Sequence, residues 1–250
     1  MSLAQILLVA AAGLIAGAIN SIAGAGSLLT FPALLAAGLP PLQANISNSI
    51  GLVPGSLSGA WVYRGELRGN LRHAGIMCLP AAIGAALGAW LLLILPARVF
   101  EVVVPLLVAG SSLLVLAQPW ITRRLKRPGT SPVALGASLF LVGIYGGYFG
   151  AAQGIVLLAV MGLFLAASLQ RINGFKMLIA GTANTVSGII FVLVAPVSWP
   201  HALLLAASSL VGGRVGAALA RRVSDRPLRL GIAVFGLAVA VLLASRHRFT

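Results

Sequence analysis

The sequence predicts an all-α, polytopic helical membrane protein, and three observations carry that expectation. Apolar residues make up 60% of the chain and charged residues 8%, with a mean hydropathy of +1.06. The apolar residues come in long runs that recur almost to the C-terminus, as in helices of about 20 residues spanning about 30 Å of hydrocarbon. Between the runs lie short connections rich in arginine, the mark of loops held in the cytoplasm. A soluble domain of this length buries only part of its surface and has no use for so much apolar area. A membrane β-barrel would show alternating segments of about ten residues, a pattern missing from this sequence.

Ten apolar segments follow one another, at roughly 3–23, 24–38, 44–63, 74–95, 98–118, 133–149, 151–168, 173–194, 200–219 and 228–245. The first opens on Met1-Ser2-Leu3-Ala4-Gln5 with no basic residue ahead of it, so it reads as a membrane segment rather than a cleaved leader. The second, closed by Gly38-Leu39-Pro40-Pro41, is short for a span, and the sixth and seventh are somewhat short too. Such pieces are expected to be broken or re-entrant helices, which a membrane tolerates where protein or a cavity covers the backbone.

Charge sets the parity. Arg64, Arg68 and Arg72 follow the third segment, Arg123, Arg124, Lys126 and Arg127 the fifth, Arg171 the seventh, and Arg221, Arg222, Arg226 and Arg229 the ninth. The connections at 39–43 and 195–200 carry no charge. Counting ten segments puts every basic connection on one side, whereas eight would split 123–127 from 221–229. Five segments per half make the second half an inverted copy of the first. The expected division is a first repeat at 1–118, a basic cytoplasmic linker at 119–132 and a second repeat at 133–250. The basic connection after the third segment has an uncharged counterpart after the eighth, and Arg221-Arg222 after the ninth answers a fourth segment that ends in Leu95-Pro96-Ala97. The tail Arg246-His247-Arg248 falls on the outer side by this count, against the bias.

The formal charge is +14, from 17 Lys and Arg against the three acids Glu66, Glu101 and Asp225. Because the basic residues sit mostly in connections, they anchor the chain at a membrane, and no nucleic-acid partner is expected. A single cysteine, Cys78, excludes an internal disulfide. The histidines His73, His201 and His247 and the scattered acids offer no neighbouring metal ligands, so no metal or cofactor is expected. Neither a P-loop nor a Ser–His or paired-acid constellation is present, which speaks against an enzyme. Oligomeric state is not legible.

Two stretches look like one device written twice. Gly17 to Ser27 leads into Ala44-Asn45-Ile46-Ser47-Asn48-Ser49, and Gly143 to Gln153 leads into Gln170-Arg171-Ile172-Asn173-Gly174. Matching glycine-broken segments in two halves of a membrane chain point to a transport site at the repeat interface. Gly24, Gly26, Gly147 and Gly150 have two readings. Glycine lets membrane helices pack closely, or it breaks a helix and presents bare N–H groups at a half-helix end that suits an anion. Asn20, Ser21, Ser27 and Gln153 add polar groups beside these breaks. Asn45 is either a helix cap or a ligand. Asn48, Ser49, Asn173 and Asn184 lie further inside apolar segments, where an amide must find another helix or a substrate. Lys176 stands five residues past Arg171, about 7–8 Å deeper. It either snorkels back to the headgroups or faces a vestibule as the partner of an anion. No acid lies inside a segment except Glu101, near the start of the fifth, which disfavours a cation exchanger.

The run Gly17-x3-Ser21-x2-Gly24-x-Gly26-Ser27 ahead of Pro32, the Ala44-Asn45 helix start and the degenerate second copy resemble the sulfite exporter TauE/SafE family of membrane permeases, over nearly the whole chain. The family pattern is more glycine-rich, and Ser27, Leu28, Ala152 and Gln153 depart from it. The resemblance implies export or uptake of sulfite, a sulfonate, thiosulfate or a related small anion by a multi-pass protein of the bacterial inner membrane. Its expected partners are that anion and the lipid bilayer. The competing expectation is an anion channel or a structural membrane subunit.

Overall fold

A computed structural model describes the backbone of residues 1–124, 131–220 and 225–246, and the side chains of 1–120, 131–220 and 230–245. The described residues form helices joined by short connections and contain no strand. In chain order these are α1 (Leu3–Ile22), α2 (Ser27–Ala36), α3 (Pro41–Gly51), α4 (Val53–Val62), α5 (Arg64–Leu67), α6 (Leu71–Ile94), α7 (Ala97–Arg124), α8 (Pro132–Tyr148), α9 (Gln153–Phe164), α10 (Leu169–Val194), α11 (Trp199–Leu219) and α12 (Asp225–Arg246). Five stretches are long and apolar enough to cross a membrane: Leu3–Ile22, Leu71–Ile94, Ala97–Trp120, Leu169–Val194 and Trp199–Leu219. All ten expected segments appear as helix. The third is split into α3 and α4 at Leu52, just before Pro54, whose ring nitrogen has no proton to give.

Local chemistry sets the helix starts. Ser2 and Gln5 form a capping box on α1, with Ser2 N donating to Gln5 Oε1 at 2.7 Å and Gln5 N to Ser2 Oγ at 3.3 Å. Ser131 and Ser168 cap α8 and α10 by accepting from Ala134 N and Arg171 N, each at 3.3 Å. Pro41, Pro132 and Pro200 occupy first-turn positions where a missing N–H costs nothing.

Of the three segments expected to be short, the sixth is the 17-residue helix α8, while the second and seventh are helices of only 10 and 12 residues, about 15–18 Å long. Both double back. Gln5 Nε2 donates to Ala37 O at 2.8 Å, so the end of α2 returns to the start of α1. Leu165, Ala166 and Ala167, just past α9, share a cavity wall with Ser131 and Pro132 at the start of α8.

The main helix contacts fall into similar pairs. α1 crosses α11 as α8 crosses α6, α4 lies on α11 as α10 lies on α6, and α7 meets α12 as α4 meets α10. Glycines four apart let the backbones touch at both main crossings. Gly13 and Gly17 face Ser208, Ser209 and Gly213, while Gly212 and Gly216 face Leu14 and Ala18. Gly84 and Gly88 face Phe140 and Ile144, while Gly143 and Gly147 face Ala81 and Ala85. Large apolar side chains such as Leu79, Leu106, Leu141 and Leu193 point outward, exposed, as a bilayer requires.

The two ends of the bundle differ in charge. Tyr63 and Leu67 pack on Gly174, so Arg64, Arg68 and Arg72 gather near Arg171 at one end. At the other, Gln43 Nε2 donates to Pro196 O at 3.1 Å and Ser198 N to Ser47 Oγ at 3.3 Å, tying uncharged connections together. Lys126, Arg127, Arg221 and Arg222, with the side chains of Arg123, Arg124, Arg226 and Arg229, lie outside the described residues, as does most of the 119–132 linker beyond the end of α7.

Candidate functional site

The helix breaks have one local structure used twice. After α1, Ala23 N and Gly24 N both donate to Ile19 O, at 2.7 and 3.1 Å, and Gly24 takes φ +78°. After α8, Phe149 N and Gly150 N both donate to Tyr145 O, at 2.9 and 3.0 Å, and Gly150 takes φ +73°. A glycine in the left-handed region past the last turn is how a helix is ended without strain. Ala152 adopts φ +54° without being glycine, a conformation that costs about 1–2 kcal/mol. Its neighbour Ala151 is held hard: Ser111 Oγ donates to Ala151 O at 3.2 Å, and Tyr145 Oη donates to the same carbonyl.

The breaks meet each other. Gly154 N donates to Gly24 O at 3.1 Å. A Cβ on Gly24 would lie 2.6 Å from Gly154 Cα, and one on Gly154 would lie 2.5 Å from Gly24 Cα. Two backbones therefore touch where α2 and α9 begin, from opposite halves of the chain.

The third segment of each half reaches the end of the other half's first helix. Asn45 on α3 donates through Nδ2 to Tyr148 O at 2.9 Å. Lys176 on α10 donates through Nζ to Ser21 O at 3.2 Å. Both acceptors are last-turn carbonyls, which lack intrahelical partners and form the negative end of the helix dipole. The two caps differ in chemistry, because one donor is an asparagine amide and the other a lysine. Lys176 is 1% exposed, so it does not snorkel to the headgroups.

Other polar groups complete the lining. Thr30 Oγ1 on α2 donates to Asn48 Oδ1. Asn20 Nδ2 donates to Ser56 Oγ at 3.3 Å, Ser21 Oγ to Gly213 O at 2.9 Å and Ser49 Oγ to Asn45 O at 3.0 Å. Among the residues expected at the site, three amides keep a buried atom without a hydrogen bond: Asn45 Oδ1, Gln153 Nε2 and Asn173 Oδ1. Each such group costs about 1–3 kcal/mol, and native folds keep few of them. Asn45 and Gln153 lie at the second break, where the Gln153 amide covers Gly146. Asn173 is one turn before Lys176 on α10.

The remaining expected positions have these places. Gly26 and Ser27 open α2, with Gly26 tight against Ala16 and Asn20 of α1. Gly147 faces Ala85 at the crossing of α8 with α6. Asn184 is buried about 12 Å further along α10 than Lys176. Gly154, Thr30, Ser56 and Tyr145 were not singled out from sequence. Gly154 directly follows Gln153, and Thr30 stands two residues before a proline within an apolar run; both were available signals. Among the described residues no three His, Cys, Asp or Glu side chains group as metal ligands.

The family described as Sulfite exporter TauE/SafE matches residues 9–243, a stretch that contains both breaks and both third segments. A probable membrane transporter protein of Haemophilus influenzae is 28% identical over 207 residues, 82% of this chain and 81% of that protein. The probable membrane transporter protein ORF9 of Sinorhizobium is 30% identical over 239 residues, covering 93% and 89%. The probable membrane transporter protein YfcA of Escherichia coli is 29% identical over 237 residues, covering 94% and 88%. No solved structure matches the chain. With a match of that span over a bundle of apolar helices, the chain belongs to the Sulfite exporter TauE/SafE family, as a multi-pass transporter of the cell membrane.

Proposed function

We propose that the chain carries a small anion, sulfur-containing as in sulfite, thiosulfate or a small sulfonate, at the contact between the two breaks. The observation that supports this most is Lys176, a fully buried cation on the carbonyl of Ser21, three residues from the Gly24 break. Burying an ammonium is expensive, and the other half performs the same capping with a neutral asparagine. A charge is therefore not needed for capping alone. Its use is electrostatic: near a buried cation an anion is held far more strongly than in water. The N-terminal ends of α2 and α9 add their positive dipole ends to the same region. Rocking one half against the other would part Gly24 from Gly154 and turn Lys176 toward the anion, which is alternating access at a repeat interface. The family's description as a sulfite exporter and the two short helices that follow glycine breaks favour this reading over a structural subunit.

The test is uptake into proteoliposomes of radiolabelled sulfite, thiosulfate and a small sulfonate, with a neutral solute as control. Lys176→Gln should weaken the apparent affinity at least about tenfold at normal expression, and Lys176→Arg should recover part of it because the charge returns with altered geometry. Flux should saturate with substrate. Unchanged affinity in Lys176→Gln would leave the lysine as a helix cap only and overturn the anion assignment, and unitary currents would replace the carrier with a channel.

A further inference from the structure

A cavity of about 600 Å³ opens at the arginine-bearing end of the bundle, between the starts of α6, α8 and α10 and the end of α9. It is separate from the contact between the breaks. One end is polar, made by Asn70, His73, Ser131 and Arg171; the walls are apolar, with Ile76, Leu79, Leu135, Leu139 and Phe164. Ile76 and Leu79 are 61% and 63% exposed, and the apolar track continues along α6 to Ile83 at 56%. The cavity thus opens sideways onto the hydrocarbon rather than along the axis of the bundle.

Arg171 marks its polar end. Its backbone N–H is held by the Ser168 cap, which places the side chain at the first turn of α10. Its Nε is buried and makes no hydrogen bond within the protein. An unsatisfied buried donor on a guanidinium costs more than a neutral one, and the geometry that satisfies it is a phosphate or carboxylate oxygen. At the corresponding helix positions in the other half, the side chains of Gln43 and His201 each have a partner within the protein. Gln43 is the third residue of α3 as Arg171 is of α10, and His201 the third of α11 as His73 is of α6. There Gln43 bonds Pro196 O at 3.1 Å and His201 Nδ1 pairs with Ser198 Oγ at 2.7 Å. Beside the cavity, Arg171 Nε has no acceptor within the protein.

We propose that this cavity binds one anionic phospholipid of the inner leaflet, its phosphodiester on Arg171 and His73 and the upper part of an acyl chain along Ile76 and Leu79. Basic pockets between membrane helices on the cytoplasmic side suit such headgroups. A small hydrated anion would lose its water against the apolar walls without compensation, which argues against the transported solute as occupant. A lipid tail fills the space with dispersion contacts.

Native mass spectrometry of the delipidated full-length protein, joined to thermal unfolding, tests this with phosphatidylglycerol, phosphatidylcholine, inorganic phosphate and sulfite as probes. One phosphatidylglycerol should be retained per chain, at least about tenfold more tightly than phosphatidylcholine, and should raise Tm. Arg171→Gln should lose that preference and Arg171→Lys should keep part of it. Gly136→Leu provides a second arm: Gly136 lines the cavity and a Cβ there meets no atom within 4 Å, so the leucine fills the space without disturbing the fold and should expel the lipid. Equal retention of phosphatidylcholine, equal protection by inorganic phosphate or sulfite, or unchanged phosphatidylglycerol binding in both Arg171→Gln and Gly136→Leu would overturn the proposal.

Discussion

Gly24 and Gly150 share a backbone conformation but not a neighbourhood, and that difference is measurable. Both sit in the left-handed region, so any L side chain there carries about 1–2 kcal/mol of strain. A Cβ on Gly24 would also meet Gly154 Cα and C at 2.6 and 2.7 Å, backbone atoms that cannot turn aside, whereas on Gly150 the nearest atom is Gly146 O at 3.0 Å. Gly24→Ala should therefore abolish transport and most monodisperse protein. Gly150→Ala should lower stability by about 1–2 kcal/mol and retain transport, and Gly150→Asn should cost less, since asparagine tolerates this conformation. Size-exclusion profiles and proteoliposome uptake distinguish the two. Wild-type behaviour of Gly24→Ala would deny the contact between the breaks. From sequence both glycines were equal candidates, because a string of residues does not say which α-carbon faces another backbone. Lys176 was equally open between snorkelling and facing inward until Ser21 was seen to accept from it.

At the scale of elements, the same ambiguity runs through the helical glycines. Gly88 on α6 and Gly110 on α7 both look like small residues in apolar runs. Gly88 touches the backbone of Ile144 and Tyr148 on α8, while a Cβ at Gly110 would find nothing within 4 Å. Gly88→Leu should force α6 off α8 and leave little folded protein. Gly110→Ala should be neutral or stabilising by up to about 1 kcal/mol, the ordinary helix-interior preference for alanine. Thermal unfolding in detergent reads both, and a folded, wild-type-stable Gly88→Leu would show that the crossing is not close. The short helices α2 and α9, by contrast, were legible as short segments that follow glycine breaks, since length and punctuation are properties of the chain alone.

For the whole molecule, the charge difference between the two ends is the quantity to test. With Cys78 replaced by alanine, single cysteines at Arg68, Arg124, Ser168 and Arg222 should be labelled only from the cytoplasm, and those at Pro41 and Ser198 only from outside. Arg124 and Arg222 on opposite faces would remove the ten-segment, inverted-repeat arrangement, since an eight-segment chain separates them. Their side chains lie outside the described residues, so labelling is the direct route.

The sequence by itself determined the class, the ten apolar segments, the two breaks and the uneven charge of the connections. Each is a one-dimensional quantity: hydropathy summed over a span, a glycine or proline at a position, arginines in a loop. Tertiary structure alone decided that Gly24 meets Gly154, that Lys176 caps α1 while Asn45 caps α8, and that a cavity opens beside Arg171. Those pairings join residues more than a hundred positions apart, and small residues at the helix crossings select them by letting particular backbones approach. No local pattern encodes which approach is made.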